Sequence, residues 1–196
     1  MPNGHPTFWL IAGPNGVGKT TYAMRHLEAV SGSINFVNLD EIARGLSPLR
    51  PAAAQVEAAR IALARARFFI RERATFAMET TLSGRSHLNL LRDASEGGLS
   101  TAMLYFSVRD PAICLERIAR RVAEGGHDVP QPVVRRRFAR SLANLPVYVR
   151  SCDLWRVYEA SGVRPALALE GVRSEIRFRD EEVLGCGQPD LAEFRP

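Results

Sequence analysis

The run Gly13-Pro14-Asn15-Gly16-Val17-Gly18-Lys19-Thr20 fits the pattern G-x-x-x-x-G-K-[ST]. It lies between an apolar stretch, residues 7–12, and a stretch of helical spacing. No other segment constrains the chain as tightly, because such a loop works only where a strand ends and a helix begins. Its glycines let successive backbone N–H groups turn inward around a phosphate, and the helix that follows adds its positive end. In this pattern Lys19 reaches the β- and γ-phosphates of a nucleotide and the Thr20 hydroxyl ligates Mg²⁺. The expected nucleotide contacts are Gly13, Asn15, Gly16, Val17, Gly18, Lys19, Thr20 and Thr21.

Short apolar runs alternate with longer helical patterns through the rest of the chain, the rhythm of an α/β fold with a parallel sheet. Five strands are predicted, at about 7–12, 34–39, 75–79, 101–108 and 165–170, with helices near 18–29, 52–73, 86–96, 111–124 and 132–149. In the last helix Val134, Phe138, Leu142, Leu145 and Val149 recur at three- and four-residue spacing and form its buried stripe. The expectation is a five-stranded parallel sheet flanked by helices, one domain over residues 1–172, and an edge strand and tail of the same domain over 173–196. At 46% hydrophobic and 24% charged residues the composition excludes a disordered or fibrous chain.

The 196 residues carry 26 cations, and Lys19 is the single lysine. The arginines are unevenly spread: residues 117–150 have a net charge of +6, and the rest of the chain sums to −1. A local anionic ligand fits this distribution better than a nucleic-acid coat. Gly125-Gly126-His127-Asp128-Val129-Pro130 interrupts the helical pattern between the two arginine-bearing helices, as the mobile joint of a lid would. His127 is given no catalytic role. Cys114, Cys152 and Cys186 are too scattered for a zinc site or a disulfide framework. No apolar run reaches the roughly 18 residues that cross a bilayer, and no signal-peptide pattern is present, so a cytoplasmic location without membrane contact is expected.

Two acids are predicted at the same sheet edge as the glycine-rich loop. Asp40 ends the run Ile34–Leu39, placing it at the carboxyl edge of the second strand, where open α/β sheets bind ligands. A carboxylate there takes a proton from a hydroxyl or holds Mg²⁺ through water, and helix capping is the structural alternative. The 19 residues between Thr20 and Asp40 suit the first strand after the loop helix better than a Walker B strand. Glu79 ends a second buried run and is followed by Thr80, Thr81 and Ser83, a set able to grip a hydroxyl-bearing substrate or order the metal's waters.

Taken together, Ala12–Thr21, Asn38–Ala43, Glu79–Gly84 and Arg121–Pro130 with Arg136-Arg137-Phe138 resemble the zeta-toxin-like P-loop kinases, over about residues 7–170. The resemblance implies a kinase fold related to the nucleoside kinases, with ATP and Mg²⁺ as cofactors. Toxins of that family phosphorylate a hydroxyl of UDP-N-acetylamino sugars. By the same resemblance Lys19 and Thr20 bind nucleotide and metal, Asp40 is the base, and Glu79 and Thr81 hold substrate. The resemblance also implies Arg121 as a phosphate clamp from the first lid helix, and position alone points to Arg136 as its counterpart from the second. An antitoxin protein is the partner the family suggests. Two other readings stay open: a kinase acting on polynucleotide ends or nucleosides, and a non-kinase nucleotide-dependent switch or ATPase. Only Phe138 and Tyr148 interleave the arginines as aromatic platforms, which disfavours nucleic acid, and the chain has no convincing Asp-Glu hydrolysis motif.

Overall fold

The computed structural model describes residues 5–126, 128–185, 191 and 194–196, so His127 and Cys186 lie outside the described residues. The chain runs β1 (Thr7–Ala12), α1 (Lys19–Ser31), β2 (Phe36–Val37), α2 (Leu39–Leu46), a 3-10 turn (Pro51–Ala54), α3 (Gln55–Arg71), β3 (Phe76–Thr80), α4 (Ser86–Glu96) and β4 (Ser100–Ser107). It continues through α5 (Pro111–Ala123), α6 (Gln131–Arg150), β5 (Leu154–Glu159), β6 (Ala166–Val172), β7 (Glu175–Arg179) and α7 (Glu181–Gly185).

Among the described residues seven strands form one sheet in the order β2-β3-β1-β4-β5-β6-β7. The five from β2 to β5 pair in parallel, whereas β6 and β7 are antiparallel additions. This corrects the five-stranded parallel sheet expected from the sequence. The fifth parallel strand is β5, and the segment expected in that place is β6. Only residues 160–165 separate β5 from β6, far short of the dozen or more that a parallel crossover needs. β5 escaped notice because it is not a continuous apolar run: Trp155 and Val157 are buried, while Leu154, Arg156 and Tyr158 alternate with them on a half-exposed face.

The central strands β1, β3 and β4 are covered on both faces, which is why they read as unbroken apolar runs. One layer packs Phe8, Leu10, Phe76, Met78, Met103 and Tyr105 against α3, α4 and the second half of α6. The other packs Trp9, Ile11, Leu104 and Phe106 against α1, α5 and Val134 of α6. Phe8 and Phe76 face each other across the β1–β3 ladder, rings stacked at 4.5 Å. Each such burial contributes about 1.5–3 kcal/mol. Since Val134 belongs to one layer and Leu145, Tyr148 and Val149 to the other, α6 passes from one face of the sheet to the other. No helix among the described residues is long and apolar enough to cross a membrane.

Candidate active site

The loop between β1 and α1 is pressed against its neighbours so closely that two of its residues must lack a side chain. A Cβ on Gly13 would lie 2.2 Å from the Phe106 carbonyl oxygen, and one on Gly16 would lie 2.6 Å from the Cys114 carbonyl oxygen. Both also have positive φ, 138° and 83°. The loop therefore seats on the end of β4 and the start of α5, with the N-terminus of α1 opening into it. Lys19, the first helical residue, is 5% exposed; its Nζ donates to the Pro14 carbonyl at 2.9 Å and lies 3.7 Å from Glu79 Oε1. Burial pushes the ammonium below its ordinary pKa range, against the opposing pull of the Glu79 carboxylate and weaker contributions from Cys114 and Asp40. A cation held this dry with one nearby carboxylate is short of negative charge, which a phosphate would supply.

Glu79 gathers the rest. Its Oε2 accepts from the Thr20 hydroxyl at 2.7 Å and from the Asn38 side-chain amide at 2.9 Å. Glu79 is the fourth residue of β3, with Thr80 ending the strand, so the carboxylate turns toward Thr20 and Lys19. Asn38 was missed as a site residue. Its Oδ1 also accepts from the Asp40 and Glu41 amides, capping α2. The spacing Asn38-x-x-Glu41 is the signal that announces this helix start. The Thr20 hydroxyl beside a carboxylate is the hard-oxygen set that suits Mg²⁺. The described residues hold no cluster of three or more His, Cys, Asp or Glu.

Asp40 differs from expectation in its setting. β2 spans only Phe36–Val37, and the chain turns at Asn38, so Asp40 is the second residue of α2 and not the end of a strand. Capping by Asn38 outcompetes continuation of the strand, because it satisfies two orphan amides of the helix. Asp40 still lies beyond the carboxyl end of β2, is exposed, and acts electrostatically on Lys19.

The segment after β3 forms a tight loop. Leu82 is fully buried at φ 57°, a left-handed conformation that an unbranched-Cβ residue adopts only at a cost of about 1–2 kcal/mol. The Thr80 hydroxyl accepts from the Leu82 amide at 3.1 Å, and the Thr81 and Ser83 hydroxyls lie 2.9 Å apart. Thr81 thus stands two residues after Glu79, half-buried in a loop whose shape is set from behind.

The arginine cluster divides. Arg137 Nη1 donates to Asn15 Oδ1 of the glycine-rich loop at 3.3 Å, whereas Arg136, about 100° round the helix, is exposed. Position alone favoured Arg136; the structure brings its neighbour to the loop. Arg117 donates to the carbonyls of Val17 at 3.4 Å, Ser161 at 3.0 Å and Gly162 at 3.3 Å, tying the loop to the segment after β5. Arg121 is exposed in the last turn of α5. The glycines expected as a joint close that helix: Gly125 has φ 85°, and the Gly126 amide donates to the Arg121 carbonyl at 2.8 Å.

Residues 8–147 match the sequence profile of the AAA domain family. A curated relative, an uncharacterised protein of Haemophilus influenzae, is 33% identical over 126 residues, 64% of this chain and 88% of the relative. Among solved structures, a chain of the AvrRxo1-ORF1:AvrRxo1-ORF2 complex with sulphate ions superposes with a TM-score of 0.72 at 17% identity, covering 95% of this chain. The present chain spans 64% of that one. A chain of the PezAT chromosomal toxin–antitoxin system of Streptococcus pneumoniae gives 0.66 at 13% identity, covering 98% of this chain and 88% of the other. At these identities the likeness is one of fold. The resemblance to zeta-toxin-like kinases thus stands as a shared architecture, while the sequence profile that matches is a broader one. The chain has the α/β P-loop kinase fold and belongs to the AAA domain family.

Proposed function

We propose that the protein is an ATP- and Mg²⁺-dependent phosphotransferase that moves the γ-phosphoryl group to a hydroxyl of a small molecule. The observation that carries this reading is the triangle of Lys19, Thr20 and Glu79 at the mouth of the glycine-rich loop, with Asp40 exposed on the same edge. The inward-turned amides and Lys19 would hold the phosphates. Thr20 and, through water, Glu79 would hold Mg²⁺, which when bound offsets charge on the phosphate oxygens. Asp40 accepts the acceptor's proton, and its exposure leaves room for that acceptor. Arg137, already on Asn15, and Arg121 from α5 supply planar donors for charge spreading over the moving group. Thr81 offers a hydroxyl to the acceptor.

A structural neighbour solved with ATP, the AvrRxo1-ORF1:-ORF2 complex, at a TM-score of 0.70, supports ATP as the donor. The likeness to a chain of the PezAT toxin–antitoxin system supports testing an antitoxin as partner, and the resemblance to zeta-toxin-like kinases makes UDP-N-acetylamino sugars the first acceptors to test. Incubation of the protein with ATP, Mg²⁺ and a panel of nucleotide sugars and metabolites, read by mass spectrometry, tests the proposal. One acceptor heavier by a phosphoryl group supports it. ATP turnover at a rate that no acceptor changes, with no phosphorylated product, returns the switch or ATPase reading.

A further inference from the structure

Helix α6 touches the carboxyl edge of the sheet through one polar stripe. Arg137, Ser141, Asn144 and Tyr148 recur at spacings of four, three and four, which aligns them on one helix face. Together they reach the glycine-rich loop, β4 and the loop after β3. Arg137 Nη1 donates to Asn15 of the glycine-rich loop at 3.3 Å. The fully buried Ser141 hydroxyl lies 3.1 Å from the Tyr105 hydroxyl of β4. Asn144 Nδ2 donates to the Leu82 carbonyl at 2.9 Å while its Oδ1 accepts from Arg85 Nε at 3.3 Å. The Tyr148 hydroxyl donates to the Gly84 carbonyl at 2.9 Å.

Asn144 therefore holds the carbonyl of the one loop residue in a strained left-handed conformation, and Tyr148 holds the same loop two residues on. Without these donors the buried Leu82 carbonyl loses the partner that α6 gives it, and the loop has reason to relax. We propose that this face of α6 is the positioning element of the transfer reaction. Asn144 and Tyr148 are positioning residues that fix the loop Thr81–Gly84, and through Arg137 they join its placement to that of the glycine-rich loop. The inference rests on the kinase reading above and deepens it: an acceptor gripped at Thr81 is located by the same helix that touches the phosphate-binding loop. The stripe runs over twelve residues, about 16 Å of helix, so a tilt of α6 moves both loops together. The Thr20–Glu79 bond is a separate link between the two regions, and changes at Asn144 or Tyr148 leave it in place.

Amide hydrogen exchange of the full chain, with and without the non-hydrolysable ATP analogue AMPPNP and Mg²⁺, tests the proposal alongside calorimetry of AMPPNP binding. In the wild type the analogue should slow exchange over residues 13–20 and also over 80–87. In Asn144→Ala its affinity should stay within about threefold and the response over 13–20 should persist, while the slowing over 80–87 drops about fivefold or more, the scale of one lost hydrogen bond. Tyr148→Phe, which keeps the ring in the core and removes only the donor to Gly84, should show the same selective loss and carries the test if Asn144→Ala does not fold. Variants whose 80–87 segment exchanges faster in every state but keeps the full nucleotide response mark a static role and overturn the proposal. So does a wild type that binds AMPPNP without any response over 80–87. A wild type that fails to bind AMPPNP overturns the kinase reading, and the coupling with it.

Discussion

The Thr20 hydroxyl donates to Glu79 Oε2 at 2.7 Å, so the hydroxyl expected on the metal is held by a carboxylate from the adjacent strand. The pair sets the oxygen donors in place, but it also puts negative charge where phosphates must come. Glu79→Gln should therefore weaken nucleotide binding in the presence of Mg²⁺ by on the order of tenfold, the scale of a lost outer-shell partner. Binding without Mg²⁺ should be unchanged or tighter. Calorimetry at both conditions checks this; equal losses with and without metal would place Glu79 outside the metal's surroundings.

Asp40 is exposed at the start of α2 and acts on Lys19 through its field. Asp40→Asn keeps shape and helix start while removing the basic lone pair. Transfer to the acceptor should fall roughly 10²–10⁴-fold with ATP affinity nearly unchanged. If extra Mg²⁺ restores the rate, the residue holds metal waters instead of taking a proton.

Arg137 and Arg136 are neighbours in sequence with different surroundings, one on Asn15 and the other exposed. Arg137→Ala should lower kcat by roughly 10²-fold, as for other lost donors to developing charge. Arg136→Ala should change it by less than about threefold. Steady-state rates of the two variants with one acceptor decide the assignment, and equal losses would refute it.

His87, at the start of α4, is half-buried, its Nδ1 3.4 Å from the Thr80 hydroxyl, and burial lowers its pKa from 6.5 to about 4. Between those values the unfolded chain binds a proton that the folded one refuses, so this residue's contribution is full above pH 6.5 and is lost as pH falls toward 4. Partial solvation trims the loss to about 2 kcal/mol. Urea unfolding at pH 7 and pH 4.5 should show a smaller drop in His87→Gln than in the wild type.

Gly125 and Gly126 end α5, and a Cβ on Gly126 would lie 2.5 Å from Arg121 Cγ and 2.8 Å from the Arg121 carbonyl oxygen. Replacing both by alanine should fray the end of α5 and cost about 1–3 kcal/mol, measured as a lowered Tm. A double variant with wild-type Tm and slowed turnover would favour a hinge over a helix cap.

The parts of this molecule that read well in sequence are those where one requirement dominates. The glycine-rich loop is legible because backbone contacts with phosphate leave little choice of residue, and β1, β3 and β4 because burial on both faces demands apolar runs. β5 is masked in the sequence because Arg156 lies in its middle, an arginine that stays partly exposed and pairs with Glu170 of β6 across the ladder. α2 is hidden in the sequence because Asn38 reads as part of the strand run Ile34–Leu39, when it is the cap of a helix and the second donor to Glu79. Which arginine meets the loop could not be read from spacing alone. Arg136 and Arg137 differ by one helical step, and only the way α6 lies across the sheet separates them.

The family match stops at residue 147, yet Trp155, Val157, Ala168, Leu169, Leu184 and Phe194 belong to the same apolar layer as β1. A chain cut after Arg150 would keep every residue assigned to the site and would leave β4 an open edge, its backbone groups from Ala102 to Ser107 free to pair with another chain. The residues proposed for the chemistry and the strand that covers the edge of β4 therefore lie on different stretches of the polypeptide. Recombinant swaps made after Arg150, past Tyr148 and the end of α6, would separate the two.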